Sequence, residues 1–142
     1  IKEARDYGYD GIVLGGDTLD NDVFLTYGGK SVEGVIFSSF YSSEIVLTQE
    51  SAVFIENYRN RYGKEPTAIA ALGYDAYLMI KDAVQRSASS EPEEIRNALK
   101  EISNLPGAAG LITMNDLGEP ERNLIIKTVK DNTIQSLKII EN

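Results

Sequence analysis

Asp17 and Asp20 follow a Gly15-Gly16 pair. A carboxylate at such a turn can hold a small cation, cap a helix or share proton chemistry with a second acid. The stretch reads Gly11-Ile12-Val13-Leu14-Gly15-Gly16-Asp17-Thr18-Leu19-Asp20. Its apolar run bounded by glycines predicts a buried strand, and the glycines let the backbone turn where a side chain would obstruct it. Asp17 then stands at the carboxyl end of that strand, where ligands of open α/β sheets bind, well placed to meet an ammonium group. The same residues are also ordinary turn formers.

Little other chemistry is available. The chain has no His and no Cys, so thiol nucleophiles, disulfides and imidazole ligands or bases are all absent. A carboxylate hydrolase would need two acids about 5 to 9 Å apart across a cleft. Asp17 and Asp20 are the one candidate pair, and Asp20 reads more naturally as a helix cap. No enzyme, metal or cofactor is expected on these grounds.

The 142 residues, 42% apolar and 25% charged, suit one ordinary domain with a soluble surface. The 14 basic against 22 acidic residues leave a net charge of −8, which repels phosphate backbones, so nucleic acid is not expected as a partner. No apolar run approaches the ~20 residues that span a bilayer. The opening at Ile1, with residues 1–8 patterned as the last turns of a helix capped by Gly8, reads as a chain that begins inside a domain, hence a fragment.

The elements that must position Asp17 follow from spacing. A strand over 12–14 leads to a short helix from Asp20 to Tyr27, closed by Gly28-Gly29. Val32 to Phe40 is β-prone. Leu47, Phe54, Tyr58 and Tyr62 predict a helix over 45–62, ended by Gly63 and Pro66. A second helix starting after Thr67 and running to about Arg86 begins almost without polar side chains, and a third follows a capping box of Ser90 and Glu93. After Asn104-Leu105-Pro106-Gly107 the chain turns to strands at 111–114, 123–130 and 133–140, with a hairpin turn at Asp131-Asn132. This is an α/β pattern with β-rich ends around a helical middle, and the ends could pair with each other.

Five segments in order carry a resemblance: Gly15 to Asp20, Val32 to Val35, Phe54 to Pro66, Ala70 to Ala76 and Leu111 to Pro120. Together they resemble the C-terminal part of type I periplasmic binding proteins, in particular the leucine, isoleucine and valine receptors of ABC transporters. The resemblance implies an incomplete fragment of a fold with two Rossmann-like lobes that close by hinge motion. It implies that 1–38 end the second lobe, 39–121 end the first and 122–142 return to the second. It implies that Asp17 takes the ligand's ammonium, with Thr18 adding a contact, and that Ile69, at the start of a helix, meets the ligand's side chain. Ala71 is a further candidate for the pocket wall, though Ile69 and Ala71 also read as core residues. A branched-chain or related amino acid is the implied ligand and a membrane ABC permease the implied partner. The implied place is periplasmic or extracellular, with a lipid anchor possible upstream. The same fold also serves ligand-sensing receptors. Helices lacking their usual sheet would expose apolar surface and favour self-association.

Overall fold

A computed structural model describes residues 1–140, so the last two residues of the predicted 122–142 segment lie outside the described residues. The helices are α1 (Lys2–Asp6), α2 (Asp22–Gly28), α3 (Gln49–Tyr62), α4 (Ala68–Ser87) and α5 (Pro92–Lys100). The strands are β1 (Leu14–Gly15), β2 (Ile36–Ser39), β3 (Leu105–Gly107), β4 (Gly110–Met114), β5 (Pro120–Glu121), β6 (Leu124–Lys130) and β7 (Thr133–Ile140).

The two ends of the chain build one sheet, ordered β1-β2-β6-β7. β1 runs parallel to β2, with Leu14 opposite Ile36, while β2 and β6 are antiparallel, with Phe37 opposite Lys127 and Ser39 opposite Ile125. Alternation along β6 buries Ile125, Lys127 and Val129 on one face. Val32, Val35, Phe37 and Val129 form the apolar cluster under this sheet. The middle of the chain builds a second cluster from Tyr41, Phe54, Ile55, Ala68, Ala71, Ala108 and Ala109, where α3 and α4 meet the turn between β3 and β4. Each cluster is local to its own elements, so burial alone leaves the segments between them as connections.

Several ends differ from expectation for identifiable reasons. Helix α3 starts at Gln49 rather than near Ile45, because Thr48 and Ser51 form a capping box that fixes the first turn. Ser90 and Glu93 make no such box. Glu91 precedes α5 without a side-chain cap bond, and Ser89 Oγ accepts from Glu91 N at 3.0 Å. Residues 29–32 form a 3₁₀ turn, which shortens the expected 32–40 strand to Ile36–Ser39. The 105–107 and 120–121 segments, read as turns, pair with β4 as short strands. Gly63 caps α3 at φ 65°, as its position predicts. The β6–β7 turn has Asp131 and Asn132 at φ 53° and 58°, and Glu33 accepts from both of their amides.

Candidate functional site

The Gly15-Gly16 pair closes β1, a two-residue strand whose Leu14 is exposed, as is Ile12 before it, rather than buried as expected, and the pair behaves as its sequence requires at one glycine. A Cβ on Gly15 would come within 2.2 Å of Leu19 Cδ1, which folds back over the strand, whereas one on Gly16 would meet nothing. Residues 17–19 then make a single 3₁₀ turn, closed by Leu19 N to Gly16 O at 3.1 Å and Asp20 N to Asp17 O at 3.0 Å. Asp17 and Thr18 are both exposed. The Asp17 carboxylate has no hydrogen bond or ion pair among the described residues, and the Thr18 carbonyl accepts from Asn21 Nδ2 at 2.7 Å.

Asp20 behaves in the opposite way, and its expected capping role is corrected. The cap of α2 is Asn21, whose side chain accepts from Phe24 N at 2.9 Å. Asp20 turns inward, where Oδ2 accepts from Lys127 Nζ at 2.7 Å and from Ser39 Oγ at 2.5 Å. The Asp20 and Lys127 side chains are 8% and 7% exposed. Ser39 Oγ in turn accepts from Tyr41 N at 3.3 Å, so the same cluster reaches the segment leaving β2. With its Oδ2 held by a cation and a hydroxyl, Asp20 is not a free partner for Asp17 in two-carboxylate chemistry.

A second buried acid lies in α4. Asp75, fully buried, accepts from Arg122 Nη1 at 2.6 Å and from the amides of Ala108 and Ala109 at 2.5 and 3.3 Å. Gly107 makes this approach possible, since a Cβ there would sit 2.5 Å from Asp75 Oδ1. Arg122 precedes β6, so this tie fastens the returning chain to α4.

Ile69 and Ala71 fall on different sides of α4. Ile69, in the first turn, is 73% exposed, while Ala71 is fully buried in the cluster with Tyr41 and Phe54. No described hydrogen bond or apolar cluster joins Asp17 or Thr18 to either of them. A cavity of about 450 Å³ opens between the start of α2, residues 41–44, the turn before α4 and the β6–β7 hairpin, with Asp20, Tyr41 and Lys127 in its wall. A second hollow of about 440 Å³ lies between α3 and α4 among Phe54, Tyr58, Tyr62 and Tyr74. None of Asp17, Thr18, Ile69 or Ala71 lines these two cavities except through neighbouring residues. Burial pushes the Tyr41 hydroxyl well above the usual phenol range. Desolvation, and then a hydrogen bond to Glu50, push Tyr74 up to about 12.

Sequence reasoning missed Lys127, Ser39, Asp75 and Arg122. Two of them carried a signal. Lys127 sits between Ile125 and Val129 at strand period, so the inward face of β6 had to contain an ammonium group. Asp75 follows Ala71 by one helical turn on the buried side of α4, where an acid needs a partner.

A family model described as a periplasmic binding protein matches residues 1–133. The chain belongs to the periplasmic binding protein family. Membership implies an extracytoplasmic place of action, and among the described residues no helix is long and apolar enough to cross a membrane. The leucine-binding protein LivK of Thermotoga maritima superposes with a TM-score of 0.92 at 33% identity, over 98% of this chain and 40% of that one. LivJ of Streptococcus pneumoniae, a branched-chain amino-acid transporter substrate-binding protein in complex with isoleucine, superposes at 0.84 with 20% identity, over 99% and 40%. A Leu/Ile/Val-binding protein homologue of Brucella suis biovar 1 is 22% identical over 121 residues, which are 85% of this chain and 32% of that protein. The periplasmic binding protein chain thus spans about a third of the length of the curated relatives it matches. These relatives are solute-binding proteins rather than enzymes, and this chain has the α/β fold of about 40% of the two solved chains, an incomplete fragment of their type I fold.

Proposed function

We propose that this chain is part of an ABC-importer solute-binding protein, and that the whole receptor captures a branched-chain amino acid by hinge closure. In this reading residues 1–38 and the segment from 122 belong to one lobe and residues 39–121 to the other. Asp17 takes the ammonium, and Thr18 beside it adds a contact. Ile69 meets the aliphatic side chain, and Ala71 shapes the wall from behind by seating α4 against its core. The observation that carries the reading is Asp17 itself: an exposed carboxylate without a described partner, at the carboxyl end of a parallel strand pair. A charge-assisted hydrogen bond to an ammonium gains strength as water leaves, so closure makes this acid selective. Burying the aliphatic group adds about 25 cal/mol per Å² of apolar area.

The closed receptor would then dock on its membrane permease, held near the membrane by a lipid anchor upstream. Exposed Ile69, Tyr77 and Ile80 on one side of α4 would let the isolated 142-residue chain associate with a second copy. Light scattering of that chain should give a mass above the monomer at high concentration, and a strictly monomeric particle would remove self-association from the account. The binding reading is tested by calorimetry on the full-length receptor with L-leucine and with 4-methylpentanoate, which keeps the side chain and carboxylate but lacks the ammonium. Leucine should bind and the deaminated acid should not. Equal affinity for both would contradict ammonium capture.

A further inference from the structure

The Asp20 socket lies directly behind the Asp17 turn. β2 and β6 are neighbours in the sheet, with Ser39 opposite Ile125, so Ser39 and Lys127 are diagonal neighbours, and both are buried. These two side chains fix the Asp20 carboxylate at 2.5 and 2.7 Å. The Asp20 amide, in turn, donates to the Asp17 carbonyl at 3.0 Å, and Asn21 Nδ2 holds the Thr18 carbonyl at 2.7 Å. The backbone that carries Asp17 is therefore tied through Asp20 to two strands of the sheet. Desolvation offsets much of the attraction in a buried ion pair, so its geometric demands can matter more than its net contribution to stability.

Two free carboxylates three residues apart would present a doubly negative turn, suited to a dication. Lys127 neutralises Asp20 inside the protein, so the exposed acids of residues 16–22 are Asp17 in the turn and Asp22 at the start of α2.

We infer that Asp20, held by Lys127 and Ser39, is a positioning residue that sets the direction of Asp17. The inference rests on the proposed role of Asp17 in binding an ammonium. It predicts that Asp20 affects ligand only through Asp17.

The test is a double-mutant cycle on the full-length receptor carrying this sequence, with L-leucine titrated by calorimetry into wild type, Asp17→Asn, Asp20→Ala and the double variant. Asp20→Ala should weaken leucine by about tenfold in the wild-type background, the size of one modest interaction. In the Asp17→Asn background the same change should cost less than about twofold, because residues acting as a unit are non-additive. An Asp20 that only supports the fold would weaken binding equally in both backgrounds, and that result would overturn the inference, as would a folded Asp20→Ala receptor with wild-type affinity. If Asp20→Ala does not fold, Ser39→Ala replaces it, with the same pattern expected at smaller size. Unchanged affinity in Asp17→Asn alone would identify failure of the binding reading itself, separately from failure of the Asp20 inference.

Discussion

Two aspartates three residues apart have opposite surroundings. Asp20 is turned into the sheet and shared between an ammonium and a hydroxyl, while Asp17 faces solvent without a described partner. Asp75 repeats the first condition in the helical half of the molecule, with a guanidinium and two amides. The contrast teaches that carboxylates which hold this molecule together are satisfied within it, whereas the acid proposed to meet a ligand has no described partner and stands at a strand end. Burial and partners separate these roles, since residue type does not.

The contrast can be broken first at Asp75. Asp75→Ala leaves Arg122 and two amides without their partner and should lower stability by about 3–5 kcal/mol, read as a fall in the urea midpoint. A loss below about 1 kcal/mol would mean that burial does not define the structural acids. Lys127→Ala strands the Asp20 carboxylate but leaves it Ser39, so the expected loss is smaller, about 3 kcal/mol in the same measurement.

Hydroxyls sharpen the comparison by pH. Tyr74, held to Glu50 and partly desolvated, titrates at about 12 instead of 10. Its folded value lies above its unfolded value, so its contribution is fully present below pH 10 and is lost as pH rises through 12. An ultraviolet titration of phenolate should show a late phase, shared with the buried Tyr41, that Tyr74→Phe reduces by one phenol. The smallest effect belongs to Arg59 and Glu65, a bidentate pair at 2.7 and 2.9 Å with both side chains more than half exposed. Glu65→Gln should change stability by less than about 1 kcal/mol, and by less still in high salt.

Much of this arrangement was legible in the residues. The glycine turn, the helical spacing of Phe54, Tyr58 and Tyr62, the Gly63 cap and the Asp131-Asn132 hairpin are local features, decided by conformational preference and period. The pairing of the chain's two ends followed from the β-rich composition of both. What escaped were the long-range partners. Asp20 looked like a cap because nothing within four residues reveals Lys127, which is 107 positions away. Asn21 has the same capping chemistry one residue later, so the boundary of α2 was ambiguous from preference alone. Ile69 and Ala71 both read as core residues and as pocket candidates, yet a two-residue step on a helix turns about 200°, which puts one in solvent and the other in the core.

The central claim is that Asp17 is reserved for a ligand, and Asp17→Asn in the full-length receptor tests it most directly. Thermal or urea unfolding without ligand should move by no more than about 0.5 kcal/mol, as for an exposed side chain without partners. L-leucine affinity measured by calorimetry should fall about 10- to 100-fold, the equivalent of one charge-assisted hydrogen bond of about 1.5–3 kcal/mol. Wild-type affinity in a folded Asp17→Asn receptor would contradict the account.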